Sequence, residues 1–138
     1  MFGFEDLIDS GDIVALIDMA ESGNAMACLT LGRMYYSGTG VPADTARAEA
    51  LYGVAVSNGS ADVIRTLGAM YLNGDCARRD DYTAAELFHR AAVMDDPLSQ
   101  FYIGQMYREG IGVLPSETKA EMWLSRAARN GIRRAAHV

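Results

Sequence analysis

A chain of 138 residues with half its side chains apolar is long enough for one packed domain, and no apolar run approaches the roughly 20 residues of a membrane span. Its net charge of −6 argues against a nucleic-acid partner, because neutralising phosphates needs a clustered excess of Lys and Arg. The two cysteines, Cys28 and Cys76, form no disulfide framework and no ligand pattern such as Cys-x-x-Cys, which points to a reducing compartment.

Met1 to Ser10 carry Glu5, Asp6 and Asp9 and no base. A secretory signal starts positive, so the cytoplasm is the expected location and no membrane partner is expected. Over Asp12–Ser22 the residues Ile13, Leu16, Ile17 and Met19 recur at helical spacing, with Asp12 placed as N-cap. Residues 1–22 are therefore read as an N-terminal capping helix.

Beyond this point a period takes over. Gly32, Gly68 and Gly104 are 36 residues apart, as are Met34, Met70 and Met106; Tyr35, Tyr71 and Tyr107; and Gly38, Gly74 and Gly110. Ala48, Ala84 and Ala120 and then Ala55, Ala91 and Ala127 keep the same spacing. Columns matching three times without a gap mark tandem repeats, placed at residues 23–58, 59–94 and 95–130.

Each repeat reads as two helices. The first, A-type, spans roughly Ala25–Ser37, Ala61–Asn73 and Pro97–Glu109. The glycine in its middle costs about 1 kcal/mol relative to alanine, so its recurrence implies a neighbouring helix packed too close for a side chain. Gly38, Gly74 and Gly110 end these helices, and Asp44, Asp80 and Ser116 cap the second, B-type, helices. Those span Thr45–Ser57, Asp81–Met94 and Glu117–Asn130, and Gly59, Asp95 and Gly131 follow them. The Met, Tyr and Trp residues at repeating positions are read as core. No unit buries its apolar face alone, so the expected fold is all-α, a right-handed α/α superhelix of three stacked repeats.

Residues 131–138 begin the A helix of a fourth unit and stop, either as a frayed cap or because the chain was cut from a longer array; Arg133 and Arg134 keep that end polar. Residues 1–24 hold six acids and no base, and residues 126–138 hold four arginines and no acid. Two solvated ends account for this, or a weak head-to-tail attraction between copies that salt would weaken.

The run Gly-Asn-Ala-x-Ala-x-Leu-x-Leu-Gly-x-Met-Tyr-x-x-Gly-x-Gly-Val-Pro-x-Asp from Gly23 to Asp44 resembles the Sel-one-like repeat family, relatives of tetratricopeptide repeats with a longer loop between the helices. The continuation Ala48, Leu51-Tyr52, Ala55 and Gly59 fits the same pattern, and Trp123 matches the family tryptophan. The resemblance implies an adaptor with a concave face lined by A helices, in a family whose members serve as scaffolds in bacterial signalling, secretion and host interaction. The second copy departs from it at Gly74-Asp75-Cys76-Ala77, where the loop is expected to have its own shape. In the cysteine-rich branch Cys28 would pair with a residue eight positions earlier, which here is Ala20, so the staple is absent.

Ser116-Glu117-Thr118-Lys119 matches Ser-x-x-Lys, the nucleophile motif of penicillin-binding proteins, and a β-lactam-interacting hydrolase at Ser116/Lys119 is the remote alternative. Ser116 also stands in the capping column of Asp44 and Asp80, and no Ser-Asp-Asn or Lys-Thr-Gly element accompanies it. Neither His89 nor His137 has a second ligand at metal-binding spacing, and Asp80-Asp81 and Asp95-Asp96-Pro97 read as helix starts. The chain is read as a non-catalytic scaffold without cofactor or metal.

If the constant columns are packing, binding belongs to the variable ones. On the A helices these are Met26, Thr30, Arg33 and Tyr36; Asp62, Thr66, Ala69 and Leu72; and Leu98, Tyr102, Gln105 and Arg108, three to four residues apart and so on one face. The partner-binding set expected from them is Arg33, Tyr36, Thr66, Leu72, Tyr102, Gln105 and Arg108, holding a protein partner of unknown identity. An inhibitor or immunity-type protein neutralising one toxin or enzyme is the alternative.

Overall fold

A computed structural model describes residues 12–133 and Ala135; the acidic segment before them, Arg134 and His137 lie outside the described residues. Among the described residues there are seven helices and no strand: α1 (Asp12–Glu21), α2 (Ala25–Ser37), α3 (Thr45–Asn58), α4 (Ala61–Asn73), α5 (Asp81–Val93), α6 (Pro97–Glu109) and α7 (Glu117–Arg129). The all-α expectation holds. Asp12 is the first residue of α1 rather than the residue before it, and its carboxylate serves in the first turn, where the helix dipole favours negative charge.

The chain forms two compact units, one ending at Val63 and one starting at Ile64. In the first, α2 pairs with α3 and α1 packs on α2; in the second, α6 pairs with α7 and α5 packs on α6. The connection from an A-type to a B-type helix is closed by the same bonds each time. Gly38 and Gly110 take a left-handed φ of 72°, and their amides donate to the Met34 and Met106 carbonyls at 2.8 Å. The far end of the loop is tied back where Asp44, Asp80 and Ser116 donate their amides to the carbonyls of Tyr35, Tyr71 and Tyr107 at 2.8–2.9 Å. The same three side chains then accept the amides of Arg47, Thr83 and Lys119, each at 3.1 Å, and so cap the B-type helices.

These ties explain one departure from expectation. The second loop does not go its own way: Cys76 adopts φ 55°, in the left-handed region held by Gly40 at φ 80° and Gly112 at φ 71°. Its ends are fixed by Asp75 on the Met70 carbonyl and Asp80 on the Tyr71 carbonyl, so the path is imposed on a residue that bears a side chain.

The repeating glycines allow contact between helices. A Cβ on Gly32 of α2 would lie 2.6 Å from the Tyr52 ring of α3, and one on Gly104 of α6 would lie 2.7 Å from Leu124 Cγ of α7. On Gly68 of α4 it would stand 3.3 Å from the Phe88 ring of α5, tight but not overlapping. Tyr52, Phe88 and Leu124 occupy one column and are all buried, as are Ala48, Ala84 and Ala120 one turn away. Met34, Met70, Met106 and Trp123 are buried as expected. The Tyr35, Tyr71 and Tyr107 column is only half-buried, because a phenol at the helix end keeps its hydroxyl near water.

The second unit also contains a buried polar network that the repeat pattern does not contain. Gln100 fills the core column of Cys28 and Ile64, donates to the Ala92 carbonyl at 3.1 Å and accepts from Asn130 at 2.9 Å. Asp96 caps α6 through the Ser99 amide (3.0 Å) and hydroxyl (2.6 Å) and pairs with Arg65 of α4 at 2.6 Å. Burial alone would raise the Asp96 pKa, but the hydrogen bonds from Ser99 and Arg65 outweigh it and hold the carboxyl below its ordinary value. After α7 the described residues are packed rather than frayed: Ala135 is buried against Phe101, Ala120, Leu124 and Ala127.

Two stability predictions follow from this packing. In an open helix Gly→Ala gains about 1 kcal/mol, whereas overpacking a tight core costs about 1–3 kcal/mol. Gly32→Ala and Gly104→Ala are therefore expected to destabilise by up to about 2 kcal/mol in urea unfolding, and Gly68→Ala to be neutral within about 1 kcal/mol. Because the folded-state pKa of Asp96 is depressed, its stabilisation is present above the ordinary carboxylate pKa and is lost as pH falls through the folded value. Asp96→Asn should flatten that acid limb of the stability profile; an unchanged acid limb would remove Asp96 as its source.

Candidate protein-interaction surface

The repeating columns are consumed by packing and capping, which leaves the non-repeating A-helix positions as the surface to inspect. In the first unit Met26 is exposed, Thr30 donates to the Met26 carbonyl of its own helix at 2.9 Å, and Arg33 and Tyr36 are half-buried on α2. In the second unit Thr66 and Leu72 are half-buried on α4, and Gln105 is half-buried on α6. Leu72 and Tyr102 are brought together on one apolar cluster formed by Ala84, Phe88, Ile103 and Met106. The Tyr102 ring lies 5.2 Å from Phe88 and 5.9 Å from Phe101, so part of it is core and one edge is left for solvent.

Arg108 is placed differently from its companions. Its guanidinium reaches Glu117 at the start of α7 through two bonds, 2.6 and 3.2 Å long. The Glu117 carboxyl is held below its ordinary pKa by that hydrogen bond, and the Arg108 guanidinium is held charged by the same contact. Sequence reasoning offered Arg108 as a binder and missed Glu117, nine residues on, because a pair across the inter-helix loop has no fixed spacing to betray it.

The motif Ser116-x-x-Lys119 resolves geometrically. The Ser116 hydroxyl oxygen accepts the Lys119 amide at 3.1 Å, as a cap does, while the Lys119 ammonium lies over the Tyr107 ring, 5.3 Å from its centre. The amine is thus placed on an aromatic face rather than beside the hydroxyl it would have to activate. His89 is exposed and makes a T-shaped contact with Trp123 at 5.6 Å. Among the described residues no three of His, Cys, Asp and Glu are grouped to hold a metal ion. Neither Cys28 nor Cys76 takes part in a disulfide; Cys28 is buried, donates to the Ala20 carbonyl at 3.4 Å, and burial pushes its thiol pKa up.

Comparison with known proteins agrees with this geometry. The Sel1 repeat family model matches residues 25–60, 66–96 and 97–132. The chain is 35% identical over 104 residues to the ERAD-associated E3 ubiquitin-protein ligase component HRD3B of Arabidopsis thaliana, covering 74% of this chain and 16% of that protein. Among solved structures, a Sel1 repeat protein from Oxalobacter formigenes superposes with a TM-score of 0.69 at 30% identity, over 91% of this chain and 95% of that one. The c5321 protective antigen of uropathogenic Escherichia coli, which displays an SLR fold, gives 0.68 at 32% identity over 87% of this chain and 26% of that one. Cysteine rich protein B (hcpB) of Helicobacter pylori gives 0.63 at 22% identity, over 96% and 94% respectively, which shows the shared fold alone.

The capping role of Ser116 makes a direct prediction. Ser116→Ala should cost about 1 kcal/mol in urea unfolding, and Ser116→Asp should cost nothing, since aspartate caps as well as serine. Equal stability of the alanine variant and the parent would refute the cap.

Proposed function

Because the chain belongs to the Sel1 repeat family, we propose that it is a non-catalytic scaffold that holds a protein partner on the exposed face of its A-type helices. Sel1 repeats mediate protein–protein interaction, and proteins built on them are generally non-catalytic. The observation that carries the finer reading is the division of labour within each repeat. Residues constant in all three repeats are spent on packing, loop closure and capping, while Arg33, Tyr36, Thr66, Leu72, Tyr102, Gln105 and Arg108 stand in columns that differ among the repeats and keep part of their surface in water. Arginine, tyrosine and leucine are the residue types that carry binding energy at protein interfaces or fill their apolar centres, and a merely solvated face would favour Lys and Glu.

The matched relative HRD3B is a ligase component, and the chain spans 16% of its length, so that protein's assembly is a guide only to the kind of work these repeats do. The two cysteines are not joined in a disulfide, and Cys28 is buried beside Ala20, which favours a reducing compartment; the cytoplasm is the location we propose. Among the described residues no single helix is long and apolar enough to cross a membrane.

Affinity capture from the native cell, with bound proteins identified by mass spectrometry, tests this reading. The variant Arg33→Glu/Gln105→Glu should retain less than a tenth of the partner captured by the parent, with an unchanged urea midpoint. Arg108 is left intact, because a glutamate there would face Glu117 and confuse folding with binding. Undiminished capture by the folded variant would take the A-helix face out of the account.

A further inference from the structure

A groove of about 440 Å³ opens in the second unit between α5, α6 and the loop after α6. Its floor is apolar, made by Ala85, Ile103 and Val113, and its walls include Tyr82 and Tyr107. It continues past Tyr107 and Val113 to Lys119 and to Leu114, which is 86% exposed. Ile103 and Tyr107 lie on the side of α6 turned away from Tyr102 and Gln105, so the groove is separate from that part of the surface assigned to the protein partner.

Its charge runs against that of the whole chain. Arg90 and Lys119 line it, with Glu86 as the acid among its lining residues. Glu86 accepts a hydrogen bond from the Tyr82 hydroxyl, which raises the tyrosine pKa. Beside it, Arg126 lies 5.0 Å over the Trp123 ring, which is T-shaped against His89. The result is an apolar slot with a cationic and aromatic rim on a chain of net charge −6. A complementary ligand carries a large apolar side chain flanked by carboxylates and no base.

The chain contains such a segment. Met1 to Ser10 read Met-Phe-Gly-Phe-Glu-Asp-Leu-Ile-Asp-Ser, with aromatic and aliphatic residues interleaved with Glu5, Asp6 and Asp9 and no Lys or Arg. Ten extended residues span at most about 36 Å, ample for a groove of this size. We propose that the groove receives residues Met1–Ser10 of a second copy of this chain. Phe4 enters the apolar floor, and Glu5 and Asp6 face Arg90 and Lys119. The association is independent of the A-helix reading, and because its charged contacts lie at the solvent rim it weakens with salt.

Sedimentation velocity on the full chain across a concentration series tests it, with far-UV circular dichroism confirming that each variant is folded. The parent is expected to self-associate reversibly, less so at high salt. Arg90→Glu/Lys119→Glu and Glu5→Lys/Asp6→Lys should each weaken association more than tenfold. An equimolar mixture of the two should recover it, because each supplies the reversed charge that the other lacks. The Arg33→Glu/Gln105→Glu variant should associate like the parent, which separates this result from failure of the partner surface. A parent that stays monomeric throughout, including one whose segment occupies its own groove, would overturn the proposal. So would association that neither charge reversal alters, or a mixture that does not recover it.

Discussion

The close approach of the two helices of a repeat at a single glycine is the contact on which the rest depends. At Gly32 and Gly104 the backbone of the A-type helix rests against a buried Tyr52 ring or Leu124 side chain, at a separation that leaves no room for a methyl group. Glycine in mid-helix forfeits about 1 kcal/mol of propensity, and the packing it permits offsets that loss. With the helices this close, the alanines at 48 and 120 must stay small and the loop between the helices can be short. The Tyr35 and Tyr107 carbonyls then fall within reach of the capping residues' amides. Propensity, packing and loop closure converge on one geometry in the first and third repeats, which is the consistency expected of a sequence that specifies one fold.

Much of this was legible in the sequence because it recurs. The A-type helix bounds, the glycine ends, the Asp44, Asp80 and Ser116 caps and the reason for the central glycine were all read from columns. What the sequence hid was whatever does not recur. Gln100 replaces Ile64 in a core column, and nothing in its spacing announces the Ala92 and Asn130 partners that make its burial tolerable. Arg65 and Asp96 pair across two repeats, and Arg108 and Glu117 pair across a loop. The second loop misled for the opposite reason: its residues changed while the bonds at its ends did not, so Cys76 was drawn into the left-handed region. Of the variable A-helix residues, Tyr102 and Leu72 also contribute to the core, because their side chains pack against the Phe88 and Met106 cluster.

The division between constant and variable columns also shapes the functional account. A Ser-x-x-Lys pattern would read as a nucleophile in isolation, yet here the hydroxyl caps a helix and the lysine covers a tyrosine. Chemistry needs groups converging on one point, whereas in this chain the polar side chains at repeating positions are engaged by their own repeat. What remains is surface: arginine, tyrosine and leucine on the A-type helices, and in the second unit a groove lined by Arg90 and Lys119.

The glycine contact can be tested without knowing any partner, through a double-mutant cycle at Gly104 and Leu124 followed by urea unfolding. Leu124→Ala alone should cost about 2–5 kcal/mol by leaving a cavity. If the account is right, adding Gly104→Ala to that background is no longer destabilising, because the new methyl enters the vacated space. The two substitutions would then couple favourably by about 1 kcal/mol or more. Costs that simply add, within about 0.5 kcal/mol, would mean that the helices do not meet at this glycine as described.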